Sequence, residues 1–100
     1  MVRSSHYSAR SHLRAKLARF THKVDLLGGT NANGQDDSKA WERRHAAMLE
    51  WANGKFGANG YTTASGKIER REGFRDVVSF HFETAEHLRQ FCAVFMLKRD

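Results

Sequence analysis

The stretch YTTASGKIERREGFRDVVSFHF, residues 61–82, predicts a β-sheet, because its pattern is that of strands and not of a helix. From Phe74 to Phe82 large apolar side chains alternate with polar ones, which predicts a strand with one buried face. Asp76 interrupts the apolar side of this alternation, and therefore indicates either a bulge or a strand that begins at Val77.

The first half of the same stretch predicts two shorter strands. Residues 61–65 are rich in strand-forming side chains, and the dipeptides at 65–66 and 72–73 have the composition of turns. Residues 67–71 between those dipeptides are short and polar, as an edge strand would be. The whole stretch therefore predicts a three-stranded antiparallel meander.

Helices are predicted on both sides of the meander. After it, Thr84 is a suitable N-cap with Glu86 in the first turn, and an apolar face follows. That face consists of Ala85, Leu88, Phe91, Cys92 and Phe95. Before the meander, residues 36–38 (Asp-Asp-Ser) supply N-cap chemistry, and Asn53-Gly54 predicts the helix end. The apolar face there consists of Trp41, His45, Met48, Leu49 and Ala52, with Trp51 at its margin.

The N-terminal segment is predicted to be a basic amphipathic helix over about residues 8–27. Its apolar stripe has helical spacing and consists of Leu13, Leu17, Phe20, Val24 and Leu27. A flexible Gly/Asn-rich loop, residues 28–35, connects it to an α-β-β-β-α body over residues 36–100. The prediction is thus a single small α+β domain, residues 1–100, with the order α-α-β-β-β-α and an antiparallel meander packed against helices.

Charge is distributed very unevenly along the chain. The formal net charge is +6, and residues 1–24 contain six Lys and Arg without any acid, whereas the rest of the chain is neutral. Such a segregated basic segment is typical of proteins that bind an acidic partner. No apolar run approaches the length of a membrane span, and no signal-peptide core follows Met1. We therefore expect a cytoplasmic protein without membrane association.

No catalytic or metal-binding motif is complete. GYTTASGKI, residues 60–68, departs from a P-loop in the spacing of its glycines and in having Ile68 where Ser or Thr binds magnesium. The six histidines have no metal-ligand spacing, and Cys92 lies on the apolar face of a helix, where a thiol is inert. The sequence therefore predicts no enzyme, no cofactor and no metal. The alternative is a small enzyme built on His81 or His87 with a neighbouring carboxylate.

The nucleic-acid modules that this pattern approaches also lack a required part. Residues 36–100 have the element order of a double-stranded RNA-binding domain, but acidic residues occupy the start of the last helix, where that domain has lysines for phosphates. The strand around Phe80 also resembles a strand of an RNA-recognition motif. That fold needs flanking strands, which the sequence pattern lacks.

Aromatic and glycine residues over about residues 41–97 resemble a family pattern. They are Trp51, Phe56-Gly57, Gly60-Tyr61, Phe80-x-Phe82, Ala85, Phe91 and Phe95. This pattern resembles short uncharacterised α+β proteins encoded by bacteriophages. The resemblance implies a viral setting and the roles of small phage proteins that block a host machine by occupying its surface, including anti-defence and anti-CRISPR inhibitors.

The leading hypothesis is a non-enzymatic binding protein of this phage-inhibitor type, which occupies an acidic surface of a host protein or ribonucleoprotein complex. The alternative is direct, sequence-independent binding of nucleic acid by the basic N-terminal helix. The predicted contact residues are Arg3, Arg10, Arg14, Lys16, Arg19, Lys23, Trp51, Arg70, Arg71 and Arg75, with His12 beside them. A homodimer that pairs through the N-terminal apolar stripe is a further hypothesis.

Overall fold

The computed structural model describes residues 18–97, in which two helices and three strands form one α+β unit. The elements are β1 (His22–Leu27), α1 (Ser38–Phe56), β2 (Tyr61–Arg70), β3 (Gly73–Phe82) and α2 (Ala85–Val94). The α+β class is confirmed for this part of the chain. The predicted order α-α-β-β-β-α is wrong, because a strand precedes α1 and only two strands lie between the helices.

The sheet is antiparallel, but it is not a meander. β3 lies in the centre, with β1 and β2 on either side, so that the chain crosses from one edge to the other through α1. The turn predicted at residues 65–66 is wrong, because Ser65 and Gly66 lie inside β2 and face Val78 and Val77. β2 instead continues to Arg70, which gives its backbone groups hydrogen-bonding partners along all of β3. The turn predicted at 72–73 is confirmed.

The helix predicted over residues 8–27 is wrong at its C-terminal end, where β1 forms. Val24 and Leu26 are buried opposite Phe80 and Val78 of β3, which shows the two-residue period of a strand. Leu26 lay outside the predicted helical stripe, whereas pairing with β3 buries it. Ala18 and Arg19 are helical, and residues 8–17 lie outside the described part. The dimer predicted through a helical stripe therefore loses Val24 and Leu27 from that stripe.

The Gly/Asn-rich connection over residues 28–35 has internal hydrogen bonds. The Asn31 side-chain oxygen accepts hydrogen bonds from the backbone N–H groups of Asn33 and Gln35, at 2.9 and 3.0 Å. The Arg44 guanidinium on α1 donates to the Thr30 carbonyl at 3.1 Å, which attaches this connection to the helix. Its flexibility stays a prediction.

Both helices begin at the predicted caps. The Asp37 carboxylate accepts a hydrogen bond from the Ala40 N–H, and the Thr84 hydroxyl accepts one from the His87 N–H. α1 continues past the predicted stop at residues 53–54 and ends at Gly57, which has a positive φ of 79°. Neither helix is long and apolar enough to cross a membrane.

The core lies between one face of the sheet and both helices. Its fully buried large side chains are Met48 of α1, Phe80 and Phe82 of β3, and Phe91 of α2. The Phe91 ring centroid lies 4.7 Å from that of Phe80 and 5.1 Å from that of Phe82. These rings hold α2 against the central strand. The predicted buried face of α2 is confirmed at Leu88, Phe91 and Cys92, whereas Ala85 is exposed and Phe95 is partly buried.

The β2–β3 hairpin extends beyond this core. Every residue of β2 from Ser65 onward is exposed, as are Gly73, Phe74 and Asp76 of β3. We call residues 66–77 the hairpin arm. Since the two helices pack near the opposite end of the hairpin, the outer edge of β2 and the tip of the arm are exposed, whereas the β3 edge is covered at Asp76 and Val77 by Gly28 and Leu27.

Candidate partner-binding surface

Ten residues were predicted to contact a partner, and six of them fall in the described part of the chain. Arg3, Arg10, Arg14 and Lys16 lie outside it, as does His12 beside them. The six others occupy three different settings, which the sequence did not distinguish: ion pairs, the core and the hairpin turn.

Three of the predicted contact cations are already paired with acids. Arg19 lies 2.8 Å from a carboxylate oxygen of Glu83, and Lys23 lies 3.5 Å from one of Asp25. The Arg75 guanidinium lies 2.6 Å from the Asp36 carboxylate, to which it donates a hydrogen bond that lowers the pKa of Asp36. Glu83 and Asp36 are distant in sequence from the arginines that they pair with, and Asp25 lies on the same strand as Lys23. All three pairs therefore depend on the fold. These cations have less charge to offer a partner than their sequence suggested.

Trp51 packs at the margin of the core. Its ring lies 5.5 Å from Phe56, 6.0 Å from Phe91 and 5.9 Å from Phe95, measured between ring centroids. Three aromatic neighbours hold the indole against both helices, so that it is only partly exposed. Trp51 thus has a packing role, and its role as a partner anchor stays a prediction.

Arg70 and Arg71 are the predicted contact residues that the fold leaves exposed and unpaired. They lie at the end of β2 and in the turn to β3, and both are exposed. Within residues 18–97 neither forms an ion pair, and the same holds for Lys67 in the adjoining part of β2. The hairpin turn therefore offers two unpaired guanidinium groups, although the exposed acids Glu69 and Glu72 beside them, which also form no ion pair within residues 18–97, dilute this basic patch.

Phe74 lies at the same end of the hairpin and is 71% exposed, on the helix-side face of the sheet, whereas Arg70 lies on the other face. Phe74 faces Glu69 across the hairpin, one pair away from the pair that Arg70 forms with Gly73. The alternation of β3 assigned Phe74 to the buried face of the sheet. That face is correct, but the helices do not extend over this end of it. Asp76 interrupts the apolar face between Phe74 and the buried part of β3. This acid in the sequence indicates that the core does not extend as far as Phe74.

An open groove of about 510 Å³ adjoins the arm on the helix side of the sheet. Trp41 of α1 forms one wall, and residues 28–29, 65–67, 76 and 78 form the rest.

The opposite face of the sheet carries a polar cluster made by β1 and β3. The Ser79 hydroxyl donates a 2.5 Å hydrogen bond to the Asp25 carboxylate, which lowers the pKa of Asp25. Burial lowers the pKa of the neighbouring His81, although its ring also donates a hydrogen bond to the Phe20 backbone. Asp25 thus accepts its hydrogen bond from Ser79, and within residues 18–97 no hydrogen bond joins it to His81.

His87, the other candidate catalytic residue, stacks on Phe56 with 4.4 Å between ring centroids. In the described part of the chain its Nδ1 atom is buried without a hydrogen-bond partner. Residues 18–97 contain no group of three or more His, Cys, Asp or Glu side chains arranged to hold a metal ion.

Comparisons of the chain with protein-family models, with curated proteins and with solved structures each find no significant match.

Proposed function

We propose that this protein is a non-enzymatic binding protein whose hairpin arm docks on an acidic macromolecular surface. The observation that supports this proposal most directly is the combination at the arm's end of exposed Phe74 with unpaired Arg70 and Arg71. Aromatic and arginine side chains supply most of the binding energy in protein interfaces, where an apolar anchor is surrounded by polar contacts.

The energetics of this arrangement favour binding. Complete burial of a Phe side chain contributes about 1.5–3 kcal/mol, and Phe74 is still largely exposed in the free protein. The two arginines need not break an existing ion pair within residues 18–97 before they bind a carboxylate or phosphate. The Lys and Arg residues within positions 1–17 add further positive charge to the chain.

The preferred form of the proposal is a phage-type inhibitor that acts in the host cytoplasm by covering a host protein or ribonucleoprotein complex, as anti-defence and anti-CRISPR inhibitors do. The resemblance of residues 41–97 to small phage proteins supports this form. A surface built from one aromatic and two arginines is suited to covering a partner.

The second candidate is sequence-independent binding of nucleic acid. Phe74 favours it, because an exposed ring at the same end of the hairpin as two arginines is also suited to stacking on an unpaired base while the guanidinium groups bind phosphates. The two candidates differ in salt dependence. Phosphate binding falls steeply with ionic strength through counterion release, whereas a packed protein interface is less sensitive.

The test compares the variant Arg70→Glu/Arg71→Glu with the control Lys39→Glu/Arg43→Glu. Both change the net charge equally at exposed positions, but the control changes lie on α1. Fluorescence anisotropy with labelled single- and double-stranded DNA and RNA, from about 50 to 200 mM salt, measures nucleic-acid binding. Capture of host proteins by the intact chain, after nuclease treatment, measures protein binding.

We expect the arm variant to lose binding at least tenfold and the control to retain it. Nuclease-resistant capture that depends on the arm supports the inhibitor. Steeply salt-dependent anisotropy that depends on the arm supports the nucleic-acid form. If the arm variant and the control bind equally well in both assays, the proposal is wrong.

A further inference from the structure

The outer edge of β2 is an exposed strand edge. β2 is ten residues long and pairs with β3 on one side, while within residues 18–97 no strand pairs with its other side. An edge of this kind presents unpaired backbone N–H and C=O groups, which another strand can extend. Its exposed half, residues 65–70, reads Ser-Gly-Lys-Ile-Glu-Arg.

The charges on this edge are complementary to themselves. When two identical strands pair antiparallel about Ile68, Lys67 of each copy faces Glu69 of the other. Two opposite-charge pairs then flank the contact between the two Ile68 side chains. If the pairing is centred on Lys67, the two Lys67 side chains face each other. If it is centred on Glu69, the two Glu69 side chains face each other. The charge pattern thus favours the register centred on Ile68 over both of these.

The side chains also lie on the faces that this register requires. Lys67 and Glu69 share the helix-side face with Asp76 and Phe74, which they oppose on β3. Ile68 lies on the other face and is 38% exposed, so a second Ile68 would remove apolar surface from water.

There is also space for a side chain at the next cross-strand pair, outside Lys67 and Glu69. In the same register Gly66 faces Arg70 of the second copy. A side-chain atom added at Gly66 would meet nothing within 4 Å, so the space needed by that Arg70 is open.

We propose that two copies of this chain pair through their β2 edges, centred on Ile68, and join their sheets into one continuous antiparallel sheet. The proposal does not rest on the binding function given above, although both use the hairpin arm and share Arg70. It differs from the dimer predicted through the N-terminal apolar stripe, because it uses only the arm. Five residues from each strand, 66–70, form a small interface, so the dimer forms at high protein concentration.

The test is sedimentation velocity on the full chain over a concentration series, with the variants K67E and E69K. Each single change replaces two attractive cross-strand pairs by two repulsive ones, and we expect the dimer dissociation constant to rise about tenfold or more. The double variant K67E/E69K exchanges the two charges, which restores complementarity, and its dissociation constant should return close to that of the original chain. An equimolar mixture of K67E and E69K should form a heterodimer more strongly than either variant dimerises alone.

The controls K55E and E50K make the same charge changes at exposed positions of α1 and should leave dimerisation unchanged. All changed residues are exposed, and circular dichroism verifies that each variant is folded. A chain that stays monomeric at high micromolar concentration refutes the proposal. So does a dimer that K67E and E69K do not weaken, or one that the exchanged double variant fails to restore.

Discussion

Replacement of Gly60 by Ala should destabilise the protein strongly, because α1 and β2 meet at this residue. A Cβ atom on Gly60 would lie 2.1 Å from the carbonyl oxygen of Phe56 and 2.8 Å from its carbonyl carbon. Real Cβ contacts essentially never fall below 3.0 Å, so the helix end and the strand start must separate by close to 1 Å. Gly60 does not have a positive φ, so the clash alone opposes the substitution.

The obstacle at Gly60 is backbone, which has little freedom to move. Phe56, whose carbonyl is contacted, also packs its ring on Trp51, Phe82 and His87, with centroid distances of 5.5, 5.6 and 4.4 Å. A shift of the helix end therefore disturbs the aromatic core. Overpacking of this kind costs about 1–3 kcal/mol, and we expect about 3 kcal/mol at this position. For a domain of this size that lowers Tm by about 12–24 °C.

Gly54→Ala is the matched control. Gly54 lies inside α1, is exposed, and an added Cβ atom would meet nothing within 4 Å. Ala should stabilise a helix interior by about 0.5–1 kcal/mol relative to Gly, which raises Tm by a few degrees. Thermal unfolding followed by circular dichroism, together with urea unfolding, measures both variants. If Gly60→Ala unfolds at the same temperature as the original chain, the packing argument at the α1–β2 junction is wrong.

Two further predictions concern a titration and a helix cap. Burial lowers the pKa of His81 below its usual 6.5, so the unfolded chain takes up a proton at a pH where the folded chain does not. Stability should therefore decrease as the pH falls through 6.5. Urea unfolding at about pH 7.5 and 5.5 should show a smaller decrease for His81→Gln, and an equal decrease would contradict the assignment. Thr84→Ala removes the cap hydrogen bond to the His87 N–H, 3.1 Å long, and should cost about 0.5–2 kcal/mol in urea unfolding. Thr84→Ser keeps the hydroxyl and should lose little, so equal losses for Ser and Ala would argue against the cap.

The candidate site was predictable only in part. Arg70 and Arg71 were identified from the sequence as a basic patch, and the structure leaves both exposed. Phe74 was missed, because its place in the alternation of β3 is that of a core residue. Phe74 lies beyond the core because neither helix covers that end of the sheet. This depends on how both helices and β3 pack together.

Local sequence was sufficient to predict the features that depend on neighbouring residues. Asp37 and Thr84 cap their helices through backbone groups three residues away, so short sequences contain the necessary information. The alternation of residues 77–82 and the buried face of α2 are likewise local patterns, and both are found in the structure.

Three features depend on contacts between distant parts of the chain: the strand at residues 22–27, the length of the hairpin, and the ion pairs of Arg19 and Arg75. The spacing of Val24 and Leu27 suits a helix, but pairing with β3, more than fifty residues later, buries Leu26 and makes β1 a strand. Arg19 likewise forms an ion pair with Glu83, and Arg75 forms one with Asp36, although the two residues of each pair are far apart in the sequence. The physical reason is common to all three: strand pairing and ion pairing depend on groups that become neighbours only after the chain has folded.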